Sequence, residues 1–347
     1  MRKPFALYLF LQVLLVSCNS SGIIEGADIT CIHPGKGLCI DKDSSFIADF
    51  CEITDCRDIH IIDDTLFVIQ DDVPDRSSRC FKVFSSKTMS YLGQFISTGR
   101  GPNEMISPYL IHNNSSDNCL LVRDNSSGSC YSARIGISTD DDPLLGMTRL
   151  ITLDNSIDVI PITRNGLLSL RYLDNKCFYE WTDSLGCAGR KYEIIKDLQP
   201  SAVTYFSNLV TNNIFKGVVA SVMLFLPQIN IISESGTIRS IAVDKRYQKW
   251  SSLFSERLSP ETVQYYDGLS SDKKYLYATY VCQPLKSINS NVEGVQIHIF
   301  DWDGNFVLNL SVKEDLGHIA IDSDSNFLYG LTRSSHSIIR YDLNGIL

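Results

Sequence analysis

This chain of 347 residues lacks most of the sequence patterns that identify membrane-spanning and nucleic-acid-binding proteins. Beyond its first 18 residues it has no apolar run long enough for a membrane-spanning helix. Its 40 acidic residues outnumber 31 basic ones, and no Lys/Arg cluster interrupts this excess. An acidic body of this kind does not attract phosphate backbones, so no nucleic-acid partner is expected.

The familiar motifs of catalytic and metal sites are also missing. No Cys-x-x-Cys pair and no Gly-x-Ser-x-Gly elbow occurs, and the six His residues are scattered, with His60 and His298 expected to be structural. The segments Asp301–Gly304 and Asp322–Asn326 begin like calcium loops but lack the rest of the loop, so we interpret them as tight hairpin turns. The sequence therefore predicts no catalytic residue, no metal ligand and no cofactor.

The first residues of the chain have the pattern of an export signal. Arg2 and Lys3 precede an apolar run, which ends in Leu-Val-Ser-Cys at residues 15–18. This ending fits the bacterial lipobox, so residues 1–17 are predicted to be a signal peptide and Cys18 to be lipidated. Asn19 follows in place of Asp, which indicates an outer-membrane lipoprotein facing the periplasm or the cell surface. Residues 18–40, rich in Ser and Gly, are predicted to be a lipidated tether.

The cysteine content leaves two interpretations open. Of 11 cysteines, Cys18 is assigned to the lipid, which leaves an even number in an exported chain. Local disulfides are possible between neighbours in sequence: Cys31 with Cys39, Cys51 with Cys56, Cys119 with Cys130, and Cys177 with Cys187. Alternatively, several of these residues are small buried side chains without a partner.

The strongest pattern in the sequence is the alternation of apolar and polar residues typical of short β-strands. From Val295 to Leu343, alternating runs are separated by turn residues such as Asp301–Asn305. Traced backwards, the pattern repeats as units of four strands with a period of about 50 residues. Only three strands remain for the sixth unit, and Phe46–Ile53 is a spare strand that could complete it.

These observations predict an all-β fold, a six-bladed β-propeller over residues 41–347. Each blade is expected to have four antiparallel strands, with an N-terminal strand closing the ring in the last blade. The near absence of helical periodicity excludes α/β layouts.

One connector resembles a known family. Residues 93–104 read Gly-Gln-Phe-Ile-Ser-Thr-Gly-Arg-Gly-Pro-Asn-Glu, which is similar to the Gly-x-Gly-x-Gly-Pro-x-Glu connector of the TolB-like six-bladed propeller lipoproteins of Gram-negative bacteria. Asn103 stands where that family commonly has Gly. The resemblance implies the propeller and an outer-membrane, periplasmic or surface location. It implies no activity, since the family is mostly uncharacterised.

The same connector supplies the first candidate ligand site. Arg100, Asn103 and Glu104 would line a polar funnel for an anionic or hydroxyl-rich ligand if the connector crosses the face near the channel. The alternative is a structural turn whose Arg and Glu brace neighbouring blades.

A second candidate site lies in a long connector, residues 244–261. Aromatic residues there recur at helical spacing, which predicts a short amphipathic helix. In it Arg246 and Trp250 could offer a ligand a charge and a stacking platform. Alternatively, the aromatic stripe only plugs the top of the propeller.

The sequence therefore favours a lipid-anchored binding or scaffolding module for a glycan, a peptide or an envelope protein. The alternative is a metal-assisted hydrolase, lactonase or lyase with its site in the channel, and a third possibility is a purely structural accessory. Three or more convergent carboxylate, Asn or His side chains would favour the enzyme, and an aromatic, amide-lined mouth would favour binding. A large exposed apolar patch would favour the structural role.

Overall fold

A computed structural model of the protein describes most of the chain as short strands. The residues described are 23–24, 26–46, 48, 55–72, 79–113, 119–137, 142–152, 156–163, 166–183, 187–195, 206–243, 257–288, 294–335 and 337–347. The strands in chain order are β1 (Asp28–Cys31), β2 (Leu38–Cys39), β3 (Cys56–Ile62), β4 (Leu66–Asp71), β5 (Phe81–Ser85), β6 (Tyr91–Phe95), β7 (Ser97–Thr98), β8 (Glu104–Met105), β9 (Pro108–Ile111), β10 (Cys119–Asp124), β11 (Ser129–Ile135), β12 (Leu144–Thr152), β13 (Ser156–Thr163), β14 (Gly166–Leu173), β15 (Lys176–Asp183), β16 (Ala188–Ile195), β17 (Asn208–Asn213), β18 (Val218–Met223), β19 (Gln228–Ser233), β20 (Ile238–Ala242), β21 (Val263–Ser271), β22 (Tyr275–Pro284), β23 (Val295–Asp301), β24 (Phe306–Val312), β25 (Leu316–Asp322), β26 (Phe327–Thr332) and β27 (Ile338–Asp342). A 3-10 turn, Leu285–Ser287, follows β22.

The strands form six small sheets, which we number as blades 1 to 6 along the chain. Blade 1 is β3 to β6, blade 2 is β9 to β12, blade 3 is β13 to β16, blade 4 is β17 to β20, blade 5 is β21 to β24 and blade 6 is β25 to β27. Within each blade, consecutive strands pair antiparallel. The first strands of successive blades contact one another, as β3 does β25, β25 does β21 and β17 does β13. The predicted six-bladed propeller is therefore confirmed, with β3, β9, β13, β17, β21 and β25 innermost.

Apolar packing between neighbouring blades makes up the core. Trp302, Phe84 and Tyr341 are almost completely buried, each in a cluster of aliphatic and aromatic side chains. None of the helices in the described residues has the length and apolar character that a membrane crossing requires.

The N-terminal residues before blade 1 are also paired to the ring. Strand β1 adds parallel to β20, the outer strand of blade 4, and β2 adds parallel to β24, the outer strand of blade 5. Both blades thus have five strands, and their outer edges are covered. Ile24 and Ile40 are buried against these blades. Much of the predicted tether, residues 18–40, is therefore part of the folded body.

Blade 6 has three described strands, and the chain before blade 1 lies against its outer strand β27. The Asp43 N–H donates to Arg340 O at 2.8 Å, and Arg340 Nη2 contacts Asp43 Oδ2 at 2.5 Å. The Phe46 ring packs edge-on against Tyr329. Of the predicted closing strand, Phe46–Ile53, most residues lie outside the described part of the chain. The contacts of Asp43 and Phe46 nevertheless bring the N-terminal segment to the seam where closure was predicted.

The described cysteines are free thiols. Cys119 and Cys130 lie on adjacent strands, but they are out of register: Cys119 faces Arg134, and Cys130 faces Arg123. The pairings Cys31–Cys39, Cys119–Cys130 and Cys177–Cys187 are therefore not formed, and Cys51 lies outside the described residues.

The two aspartate-rich segments form hairpin turns, as predicted. Asp301 Oδ1 accepts the N–H groups of Asp303 and Asn305, and Asp322 Oδ1 accepts that of Ser325. Their carboxylates are therefore occupied by their own turns.

Candidate functional site

The channel wall of the propeller carries polar side chains, because each blade presents its first strand there. Strand β3 contributes Asp58 and His60, the end of β9 leads into His112, and β25 contributes His318. Since side chains two residues apart on a strand share a face, Asp58 and His60 lie on the same side of β3. Burial of this many polar groups requires that they satisfy one another or a ligand.

Three of these side chains converge on one point. His112 Nε2 lies 3.0 Å from both carboxylate oxygens of Asp58, and His318 Nδ1 lies 3.0 Å from Asp58 Oδ1. All three ligand atoms lie within 4.8 Å of one another. Asp58 and His112 are buried, whereas the His318 side chain is 23% exposed. We call Asp58, His112 and His318 the channel triad.

The charges of the triad side chains shift the pKa values of Asp58 and His318. Burial acts to raise the pKa of Asp58, but the attraction of His112 and His318 outweighs it and holds that pKa well below its usual range. Burial acts to lower the pKa of His318, but the Asp58 carboxylate outweighs it and raises that pKa. His60, whose ring packs edge-on against His112, has its pKa lowered to about 3, chiefly by burial and then by His112. Asp58 is thus a carboxylate and His60 a neutral imidazole at physiological pH.

The position of His318 depends on a close approach between blades 5 and 6. Gly268 on β21 lies so near Gly317 O that a Cβ at residue 268 would clash with it. Thr279 Oγ1 donates to Gly317 O at 2.8 Å, which fixes the backbone next to His318. The glycine at 268 therefore permits the approach that brings His318 to Asp58.

The triad has the composition and spacing of a metal-ligand set. Two imidazoles and one carboxylate are common protein ligands of zinc and other first-row divalent ions. Ligand atoms about 2.0–2.2 Å from such an ion lie about 3–3.6 Å apart, close to the two 3.0 Å distances to Asp58. Without an ion, His318 Nδ1 pairs with Asp58 Oδ1 at 3.0 Å, and a bound cation would take the place of this ion pair. Three protein ligands would leave coordination positions for water or a substrate.

A cleft of about 520 Å³ opens beside the triad. His318 lies in its wall, together with residues at the start of β3, on β21 and after β26. Its ionisable lining consists of Asp55, Arg57, Asp72, Asp267, His318 and Arg333. A smaller cavity of about 70 Å³ includes His60 in its wall and lies on the other side of the triad. Since the triad lies between the two, a molecule in the larger cleft can reach it by way of His318.

The residues predicted to bind a ligand lie elsewhere. Arg100 and Asn103 lie on the loop between β7 and β8, and Glu104 begins β8; all three are exposed and line neither of the two cavities. Glu104 Oε2 accepts the N–H of Gly101 at 2.6 Å, and Asn103 has a positive φ of 59°. Glu104 thus closes a turn within its own connector, and ligand binding by these three residues stays a prediction. Arg246 and Trp250, with most of their predicted helix, lie outside the described residues.

No motif in the sequence indicates the channel triad. His112 and His318 are two of six scattered histidines, and no local motif connects them to Asp58. His298 is buried and stacks on Tyr280, in agreement with its expected structural role. A usable signal existed in the predicted strands: the first strand of every unit faces the channel, so its polar residues are candidates.

Comparison with known proteins gives a family and a fold. Residues 57–324 match the family model described as TolB-like 6-blade propeller-like. No curated protein matches the chain. A crystal structure of a protein described as exported, from Bacteroides fragilis NCTC 9343, has 14% identity and a TM-score of 0.53, covering 90% of this chain and 98% of that one. A member of the DUF4221 family from Bacteroides vulgatus ATCC 8482 has 10% identity and a TM-score of 0.51, covering 89% of this chain and 96% of that one.

Proposed function

This chain belongs to the TolB-like 6-blade propeller family, and from that premise we propose that it is an exported envelope protein whose channel triad binds a divalent metal ion and uses it in catalysis. The reaction class is metal-assisted hydrolysis, lactone opening or elimination on a ligand in the adjacent cleft. The family supplies the ring and its channel, whereas the activity is inferred from the site. The observation that carries the proposal is the convergence of Asp58, His112 and His318.

The triad suits a catalytic ion better than a structural one. A structural ion is usually enclosed by four protein ligands, whereas three ligands beside an open cleft leave room for a reacting group. A bound ion would polarise a carbonyl or lower the pKa of a coordinated water. Asp58 supplies the negative charge that makes the site attractive to a cation. His318, the most exposed of the three, is the ligand nearest the cleft.

The metal site is tested by titrating the purified full-length chain with Zn²⁺, Mn²⁺ and Ca²⁺. We expect at least one ion to raise the thermal midpoint, because an ion that binds only the native state stabilises it. Asp58→Asn and His318→Gln should each weaken binding of that ion by at least about 100-fold. The matched control is His33→Gln, which removes an exposed histidine outside the channel.

Two results would overturn the metal proposal. One is the absence of a midpoint shift with every ion. The other is a shift of equal size in the wild type and in both triad variants. Catalysis is then assayed with a panel of esters and lactones on metal-loaded and chelator-treated protein. Turnover that disappears with the chelator and in Asp58→Asn supports the enzyme.

The cleft by itself favours a second candidate, the binding module for a glycan, a peptide or a partner protein. Its polar lining and its volume of about 520 Å³ suit recognition without chemistry. Ligand binding without metal dependence or turnover would select this second function.

The proposed location is the outer membrane, with Cys18 lipidated and the body in the periplasm or at the cell surface. The lipobox supports the anchor, and the exported relative from B. fragilis, similar in fold, is consistent with export. Cys18→Ala should move the protein from the membrane fraction to the soluble fraction, because one acyl chain contributes about 0.8 kcal/mol per buried methylene. Fractionation of cells expressing each form measures this, and a variant that stays in the membrane would contradict the anchor.

A further inference from the structure

The cleft beside the channel triad contains a buried guanidinium with unsatisfied nitrogens. The Arg333 side chain, which follows β26, is only 9% exposed and lies in the cleft wall. Its Nε donates to Asp267 Oδ2 at 2.6 Å. Within the described residues, its Nη1 and Nη2 are buried and make no hydrogen bond. A buried donor without an acceptor costs free energy. We therefore expect a ligand to supply the acceptor that the described residues do not provide for these two nitrogens.

The geometry of Arg333 suits a planar oxyanion. Asp267 is itself fixed, because Gln264 Nε2 donates to its Oδ1 at 2.5 Å. Gly317 packs against the Asp267–Arg333 pair, where a Cβ would lie 3.1 Å from Asp267 Oδ2 and 3.4 Å from Arg333 Cγ. Because Nε pairs with Asp267, Nη1 and Nη2 of the guanidinium remain to bind a ligand. Two parallel N–H groups match the two oxygens of a carboxylate.

Arg57 provides a second cation in the same cleft. Its Nη1 contacts both oxygens of Asp72, at 2.8 and 3.0 Å, and its guanidinium lies over the Tyr109 ring at 5.5 Å. The side chain is 45% exposed and lies in the wall of the cleft.

The charge of the lining selects the kind of anion. The lining has three carboxylates, those of Asp55, Asp72 and Asp267, against two guanidiniums, a net charge of −1 without His318, so it repels a doubly charged anion more than a singly charged one. A carboxylate carries one charge at physiological pH, whereas phosphate carries nearly two. The lining therefore favours a carboxylate over a phosphate.

We propose that the cleft binds a ligand through a carboxylate, held by Nη1 and Nη2 of Arg333 and assisted by Arg57. Because His318 and Arg333 line the same cleft, the neighbouring polar group of that ligand then lies beside the channel triad. The carboxylate site stands on the cleft alone, and its role as a substrate anchor rests on the proposed function. The substrate class is thus a carboxylate-bearing ester, lactone or glycoside.

The test measures binding of propionate, its neutral analogue propionamide and inorganic phosphate to the purified full-length chain by calorimetry. Propionate is expected to bind at least about tenfold more tightly than propionamide, because only the carboxylate pairs with the guanidinium. Arg333→Lys keeps a positive charge beside Asp267 but loses the fork, and should weaken propionate binding by at least about tenfold. Arg134→Lys, an exposed arginine on β11 outside the cleft, is the matched control and should bind propionate like the wild type.

A second variant keeps the test valid if Arg333→Lys does not fold. Arg57→Gln changes an exposed side chain, and should weaken propionate binding by about two- to fivefold. Equal binding of propionate and propionamide, or unchanged propionate binding in both variants, would overturn the proposal. Tighter binding of phosphate than of propionate would overturn the carboxylate assignment.

The two proposals can fail separately. Propionate is titrated into chelator-treated protein and into metal-loaded protein. Propionate binding that persists after chelation, together with no response to any divalent ion, would retain the carboxylate site and remove the metal-dependent function. A metal response without propionate binding would do the reverse.

Discussion

Replacing Asp71 with Asn is expected to lower the free energy of unfolding by about 3–5 kcal/mol. Asp71 ends β4, and its Oδ2 lies 3.3 Å from Nζ of Lys82 on β5, with both side chains almost completely buried. Lys82 Nζ also donates to Arg79 O at 2.5 Å. The substitution keeps the shape of the side chain but removes the negative charge that balances a buried ammonium. Urea unfolding of both proteins at neutral pH measures the loss.

A double variant separates the charge from the other contacts of Asp71. Asp71 Oδ1 also accepts the N–H of Asp55 at 3.0 Å, so some of the loss could come from that bond. Asp71→Asn combined with Lys82→Met leaves no unbalanced charge and should recover much of the lost stability. A loss below about 1 kcal/mol in the single variant would show that the pair matters little.

The second large effect is a fall in stability as the pH rises, caused by Asp158 on β13. Asp158 is buried, and burial raises its pKa to about 7 against the opposing attraction of Arg123. In the unfolded chain the same group titrates near its usual value of 3.8. Between these values the folded protein retains the proton and the unfolded chain loses it. Stability is therefore full below about pH 4 and is lost as the pH rises through about 7, by about 4 kcal/mol in total.

Asp158→Asn should remove this contribution. Compared with the wild type, the variant should gain stability progressively, by roughly 2–3 kcal/mol more at pH 8 than at pH 5. Urea unfolding of both proteins at the two pH values measures the difference. His318, whose pKa is raised above its usual value of 6.5, contributes stability that is also lost as the pH rises, so only the difference between the proteins isolates Asp158.

The titratable groups around Asp158 do not obscure this measurement. The titratable groups that influence it or are influenced by it are Arg123, Tyr109, Cys130 and Tyr179. Burial raises the pKa of Cys130 to about 12 and raises those of both tyrosines, so these three stay neutral in the range tested. A variant with the same pH dependence as the wild type would show that Asp158 is ionised in the folded protein.

The strands of the propeller could be predicted from the sequence because their signals are local. The hairpin of β23 and β24, for example, was visible as alternating apolar residues on either side of Asp301–Asn305. Each such hairpin fixes its own register within about 20 residues. Counting strands therefore predicts six blades, and the structure has six.

The candidate site could not be found in the same way, because nothing local connects its residues. Asp58 and His112 are 54 positions apart, and His318 comes from the last blade. These three residues come together only because the ring closes, and a short stretch of sequence does not predict which residues ring closure brings into contact. The exposed connector with Arg100 was predicted to be a ligand site because its motif is local and unusual. In the structure that motif serves the turn, with Glu104 bonded to Gly101.

The contact between Asp43 and Arg340 at the seam also constrains the order of folding. The two residues are 297 positions apart, so this contact has one of the longest loops to close in the molecule. Blades 1 to 5 can form while the C-terminal residues are still being synthesised, but the seam must wait for β27. Contacts of such high sequence separation form slowly. The seam should therefore be the last part of the ring to form.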